Sequence, residues 1–102
     1  MPLIDRQRIV ADKMMISRVL LHKGFRVERH QHANEQIAVV LSGKVNFLLG
    51  EAGTGSEYTE TLIAGQSIVL PPDVPHGAEA IEDTLILDLF SPPSETTGID
   101  QR

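Results

Sequence analysis

Residues 24–43 read GFRVERHQHANEQIAVVLSG, and the prediction of the fold starts from this stretch. Short apolar runs alternate here with glycine and polar residues, and the same pattern continues on both sides. No segment keeps a helical period of apolar residues. Short runs separated by turn residues are typical of β-strands, so the sequence predicts an all-β protein.

Turn residues divide the chain into predicted strands. Gly43 marks a tight turn at Ser42–Lys44 between two apolar runs, which predicts a hairpin. Gly50–Ser56 predicts a second hairpin loop, and Ala64–Gln66 a further turn. The predicted strands are Met14–Leu21, Arg26–His30, Gln36–Leu41, Val45–Leu49, Tyr58–Ile63, Gln66–Leu70, Gly77–Ala80 and Thr84–Phe90. Strands at this spacing favour a barrel or sandwich.

Composition limits the function classes. The chain has 102 residues, which suits one domain, and no cysteine, which excludes disulfides and thiolate ligands. A net charge of −5 disfavours nucleic acid and anionic membranes as partners. No apolar run approaches the roughly 20 residues of a membrane helix, and Met1–Arg8 lacks the apolar region of a secretory signal. We therefore expect a cytoplasmic protein.

Three of the four histidines suggest a metal site. His30 and His32 have the spacing that, in a strand, directs two side chains to the same face. Gln36 follows closely and offers an amide oxygen, and His76 comes after the proline-rich residues 71–75. Three imidazoles and one carbonyl oxygen would leave coordination positions open, as in catalytic metal sites. The alternative is that the two nearby histidines are ordinary surface residues.

The spacing of these residues resembles that of the cupin family. The first cupin motif is matched by Gly24, His30, His32, Gln36 and Gly43, and the second by Gly65, Pro71, Asp73 and His76. There are departures, because the family usually has Glu at position 36, Gly at position 73 and Asn at position 80. The resemblance extends from about Lys13 to Phe90.

The resemblance implies a small antiparallel β-barrel of jelly-roll type, commonly dimeric. Residues 13–90 would form the barrel, residues 1–12 an N-terminal segment and residues 91–102 a flexible tail. One divalent metal ion would be held by His30, His32, Gln36 and His76, and the residues do not choose among Ni, Zn, Fe and Mn. A neutral Gln in place of Glu would leave the ion a stronger Lewis acid.

An acidic residue lies in the last apolar strand. Asp88 shares one face of that strand with Ile86 and Phe90. A carboxylate is costly in such a place unless it is paired or used. We predict that Asp88 points inward as a general acid or base with a raised pKa, and that Phe90 forms an apolar wall for a substrate. Alternatively, backbone groups or an Arg of a second subunit satisfy Asp88.

A closer resemblance links this region to the pectin-degradation cupins, which open the ring of unsaturated uronates. It rests on residues 71–78 (PPDVPHGA), 83–85 (DTL) and 88–93 (DLFSPP), and on Glu35-Gln36 after the histidine pair. The resemblance implies that Asp88 and Phe90 belong to the active site. That subfamily has Arg after Ser-Pro-Pro, whereas this chain has Ser94. Arg26, Arg29 or Arg102 would have to hold a substrate carboxylate instead.

Three functions remain open from the sequence. The first is a metal-dependent enzyme that acts on a small oxygen-rich molecule, such as an unsaturated uronate. The second is a metal-dependent dioxygenase or a polyketide-cyclase-like cupin, and the third is a cupin that binds a small molecule without turnover. Thr84–Phe90 is apolar on both faces, so its outer face must pack on another segment or on a second subunit. We therefore expect a homodimer.

Overall fold

The computed structural model describes residues 4–93, which form antiparallel strands in two sheets. The strands are β1 (Ile4–Val10), β2 (Met15–Leu21), β3 (Arg26–His30), β4 (Glu35–Ser42), β5 (Lys44–Leu49), β6 (Tyr58–Ile63), β7 (Ser67–Leu70), β8 (His76–Ala80) and β9 (Thr84–Ser91). One sheet has the order β1-β2-β9-β4-β7 and the other the order β3-β8-β5-β6. The predicted all-β jelly roll is confirmed.

The core lies between the two sheets. Along β2 and β9 every second residue is buried, so each strand turns one face inward, as its pleat requires. The inner faces of both sheets contribute aliphatic and aromatic side chains to one continuous cluster: Ile4, Val19, Leu21, Ala38, Val40, Val45, Phe47, Leu49, Leu62, Leu70, Ala78, Ala80 and Ile86. Burial of these side chains stabilises the two-sheet arrangement.

The hairpin predicted at Ser42–Lys44 is wrong. The turn exists, but β4 pairs with β7 and β9, whereas β5 pairs with β6 and β8, so the turn crosses from one sheet to the other. Gly43 has a φ of 93°, and a Cβ atom there would lie 2.2 Å from the carbonyl oxygen of Asp83. The glycine thus allows the chain to pass close to the start of β9. The loop at Gly50–Ser56 does join a paired hairpin, β5 and β6.

Strand β1 was not predicted. Ile4–Val10 pairs along its whole length with β2, yet only Ile4 of this strand is buried. Backbone hydrogen bonds along an edge therefore hold this strand, and its side chains carry little of the alternating pattern that reveals a strand. The sheet thus starts within the segment 1–12 that we expected to precede the barrel.

Strand β9 occupies the middle of its sheet, between β2 and β4. Its inner face is buried and includes Asp88, while Leu85, Leu87 and Leu89 on the outer face are half-buried. Of the predicted tail, residues 94–102 lie outside the described residues. Among residues 4–93, no helix has the length and apolar character needed to cross a membrane.

Candidate metal centre

A β-bulge in β3 turns His30 into the interior. Val27 pairs with Ala78 and His30 pairs with His76, so two residues of β3 stand opposite the single residue Gly77 of β8. Val27 is buried, and strict alternation from it would direct His30 away from the core. The extra residue reverses the alternation, and His30 comes to lie beside His76.

Gly77 makes room for this bulge. A Cβ atom at Gly77 would lie 2.5 Å from the carbonyl oxygen of Val27 and 3.0 Å from the backbone nitrogen of Arg29. Both atoms belong to the bulged segment, so any larger residue would push β3 away from β8. No local sequence pattern indicates this role of Gly77, which follows from the register of the two strands.

His32 and Gln36 reach the same region from different elements. The expectation that His30 and His32 share a strand face is wrong, because β3 ends at His30 and His32 lies on the connection to β4. Gln36 is on the inner face of β4 and is buried. The two histidines nevertheless face the same space, with ring centroids 5.7 Å apart.

All three imidazoles are held in the same way. The Nδ1 atom of His30 lies 2.9 Å from the carbonyl oxygen of Glu28, and that of His76 lies 2.9 Å from the carbonyl oxygen of Val74. The Nδ1 atom of His32 lies 3.1 Å from the carbonyl oxygen of Asn34. A carbonyl oxygen only accepts hydrogen bonds, so each Nδ1 carries the proton. Each Nε2 is thereby left with a free lone pair.

The imidazoles converge. One nitrogen atom from each of His30, His32 and His76 lies within 4.8 Å of the other two. The ring centroid of His76 is 4.6 Å from that of His30 and 5.0 Å from that of His32. Burial lowers the pKa of His76 to about 4 and also lowers the pKa of His32. These rings are therefore neutral near pH 7, which is the form that binds a metal ion.

A buried polar atom without a partner and the chemistry of the donor set both fit a divalent cation in this cluster. The Nε2 atom of His32 is buried and has no hydrogen-bond partner among the described residues. Such atoms are rare in native proteins, and a bound ion is one of the accepted explanations. Three imidazoles are a donor set that suits Zn, Fe and Ni. His30, His32 and His76 would hold the ion, and the Oε1 atom of Gln36 is available as a fourth ligand.

Asp88 lies directly behind Gln36. The Nε2 atom of Gln36 donates a hydrogen bond of 2.8 Å to Oδ1 of Asp88. Burial raises the pKa of Asp88 to about 7, although the hydrogen bond from Gln36 acts in the opposite direction. Both residues, with His30 and His76, line an interior cavity of about 20 Å³, which has room for about one water molecule or ion. A larger substrate would therefore lie mainly at the mouth of the barrel.

Comparisons with known proteins agree with this geometry. Residues 17–91 match the family described as Cupin domain. The chain belongs to the cupin family. The structure of KdgF from Halomonas sp. shares 31% identity with this cupin, covers 93% of this chain and 84% of that one, and superposes with a TM-score of 0.82. No curated protein matches the sequence.

Two further solved structures share the fold of this cupin. An RmlC-like cupin from Shewanella frigidimarina is 26% identical, with a TM-score of 0.80 and coverage of 91% of this chain and 79% of that one. The Bacillus subtilis oxalate decarboxylase, whose structure was used to study its Mn(II) centres, is 17% identical, with a TM-score of 0.79 and coverage of 89% and 26%. The last similarity concerns the fold alone.

Of the other residues considered from the sequence, Phe90 lies near the histidine cluster and His22 does not. The ring of Phe90 is 5.9 Å from that of His32, at the same end of the inner face as the histidines. His22 lies away from the cluster and pairs with Asp5 at 3.0 Å. Ser94, at the position where the subfamily has Arg, lies outside the described residues.

Asn34 is a site residue that the sequence does not indicate. It is buried, its carbonyl oxygen receives the Nδ1 proton of His32, and its side-chain amide donates a hydrogen bond to the carbonyl oxygen of Pro92. Asn34 thus joins the segment that carries His32 to the chain that leaves β9. An Asn in a short connection predicts only a turn, so no signal in the sequence pointed to this role.

Proposed function

We propose that this cupin is a metal-dependent enzyme that acts on a small oxygen-rich molecule, with unsaturated uronates as the substrate class. The observation that carries the proposal is the convergence of His30, His32 and His76 next to the buried acid Asp88. The sequence resemblance to pectin-degradation cupins and the 31% identity with KdgF from Halomonas sp. support the substrate class.

Different groups of the site would carry different parts of the proposed reaction. A bound divalent ion supplies Lewis acidity toward a carbonyl or hydroxyl oxygen. Asp88 has a pKa of about 7, so it is present in both protonation states near neutral pH and is able to take up and return a proton. Phe90 is buried beside His32 and forms an apolar wall at the end of the inner face that carries the histidines. The narrow interior excludes bulk water from Asp88.

Incubation of the purified protein with unsaturated galacturonate tests the proposal. We expect the ultraviolet absorbance of the conjugated double bond to fall faster than in buffer, and this rate to be lost in a His76→Ala variant. A rate equal to that of buffer, with metal bound, would remove the uronate assignment. Iron in the protein together with oxygen uptake would favour the dioxygenase alternative.

Asp88→Asn separates an enzyme from a protein that only binds its ligand. Asn has nearly the same size as Asp and still accepts a hydrogen bond, but it has no proton to exchange. We expect this variant to keep its metal and to lose turnover by about 10²-fold or more. Unchanged turnover would show that Asp88 does not move the proton.

A further inference from the structure

The Gln36 side chain has two chemically different ends of similar shape. Its Oε1 atom accepts hydrogen bonds and is able to bind a cation, whereas its Nε2 atom only donates. Rotation of the amide by half a turn exchanges these ends with little steric consequence. A buried Gln therefore serves as a metal ligand only if something fixes which end faces the ion.

Asp88 supplies that constraint. Its Oδ1 atom accepts the 2.8 Å hydrogen bond from Nε2 of Gln36. Gln36 is 5% exposed and Asp88 is 2% exposed, so little water competes for either group. The two residues lie on neighbouring strands, because Ala38 of β4 pairs with Asp88 of β9. A rotated amide would place Oε1 against a carboxyl oxygen and leave Nε2 facing the imidazoles.

The geometry points to a positioning role for Asp88: it holds the Gln36 amide with Oε1 directed toward His30, His32 and His76. This inference rests on the proposed function, because the orientation matters only if the histidines bind a metal ion. A neutral Gln at position 36 also suits this contact. A Glu there would bring two carboxyl groups into contact inside the barrel, which is unfavourable when both are charged.

Zn²⁺ affinity, measured by competition with a chromogenic chelator, tests the inference. Asp88→Leu removes the acceptor and should weaken Zn²⁺ binding by about 10-fold or more, the usual effect of losing a residue that orients a ligand. Asp88→Asn keeps the shape but presents an acceptor or a donor according to the rotation of its own amide, so its Zn²⁺ affinity should lie between those of the native chain and Asp88→Leu. Ser17→Ala is the matched control, because Ser17 is a buried polar residue opposite Asp88 on β2 and no described hydrogen bond joins its side chain to Gln36.

A rescue variant separates orientation from general damage to the fold. Both oxygens of a Glu side chain are equivalent, so Gln36→Glu needs no orienting partner. We expect Gln36→Glu combined with Asp88→Leu to recover most of the affinity that Asp88→Leu loses. In the metal-free protein, the side-chain amide protons of Gln36 should exchange slowly with solvent in the native chain and faster in Asp88→Leu.

The outcomes distinguish this inference from the proposed function. Equal Zn²⁺ affinity of the native chain and Asp88→Leu would overturn the inference and leave the metal centre intact. Failure of Gln36→Glu to rescue a folded Asp88→Leu protein would also overturn it. A native chain that binds neither Zn²⁺ nor another divalent ion would overturn the metal centre, and the inference with it.

Discussion

Burial acts in opposite directions on the acid and on two of the bases in the site. It raises the pKa of Asp88 to about 7, and it lowers the pKa of His76 to about 4 and that of His32 in the same direction. Each group is thereby kept neutral over a pH range in which it would be charged in water. His32 and His76 are therefore neutral, and their Nε2 atoms bind a cation without first losing a proton.

The opposed shifts predict a pH dependence of stability in the metal-free protein. Between about pH 4 and pH 7, Asp88 is ionised in the unfolded chain but protonated in the folded one, so its contribution to stability falls as pH rises. His76 acts the other way, because its folded pKa is lowered and stability is lost as pH falls below its unfolded pKa. The two effects partly cancel in the native chain.

The difference in the free energy of unfolding between the native chain and Asp88→Asn reports the contribution of the Asp88 carboxyl group alone. Measured by urea unfolding with a chelator present, Asp88→Asn should gain relative stability as pH rises from 4 to 7, by up to about 4 kcal/mol at about 1.4 kcal/mol per pKa unit. A difference that stays constant over this range would contradict the raised pKa of Asp88.

The bulge in β3 is the local feature that positions His30, and Gly77 is the residue that permits it. We predict that Gly77→Ala displaces β3 and lowers metal affinity by about 10-fold or more, as loss of a supporting contact does. Isothermal titration with Zn²⁺ measures this. Gly24→Ala is the control: Gly24 has a φ of 90° but no crowding, so this change should cost about 1 kcal/mol of stability and leave metal affinity unchanged. Equal affinities in all three proteins would refute the role of Gly77.

Strand β3 shows which features of the site can be predicted from the sequence and which cannot. The cupin motif identified the residues of the cluster, because their order and spacing are read directly from the chain. The strand spacing of His30 and His32 is not what brings them together, since His32 lies beyond the end of β3. A bulge depends on the register between β3 and β8, residues far apart in sequence, and no local pattern records that register.

The sequence predicts where the strands lie better than it predicts the sheet to which each strand belongs. Gly43 indicates the turn, but the same residues suit a hairpin and a crossing between sheets, so the sequence does not predict that β4 pairs with β9 rather than with β5. The inward direction of Asp88 agrees with the alternation along Thr84–Phe90. Its hydrogen bond to Gln36 joins residues on different strands and became visible only in the fold.

At the scale of the whole molecule, the outer face of the larger sheet carries an aliphatic row across all five of its strands. The paired residues are Ile9, Ile16, Leu89, Ile37 and Val69. Ile9 is 73% exposed, Val69 56% and Ile37 40%. Continuous apolar surface of this kind is uncommon on monomers. The row is centred on β9, so a second copy related by a two-fold axis would present the same row to it.

We therefore propose a homodimer that buries this row. Leu89→Arg should shift the protein toward monomer in sedimentation velocity, because it places a charge at the centre of the contact. Thr59→Arg, on an exposed position of the other sheet, should leave the association state unchanged. A native chain that sediments as a monomer at all concentrations would contradict the dimer.

The joint binding of one cation by His30, His32 and His76 is the property on which the proposed function depends most. Elemental analysis of the protein, purified without added metal and then loaded with one divalent ion and dialysed, measures this directly. We predict about one ion per native chain and a large loss in His30→Ala and His76→Ala. His22→Ala, which alters the histidine outside the cluster, should keep its ion. A native chain without bound metal after loading, or equal metal in all four proteins, would contradict the account.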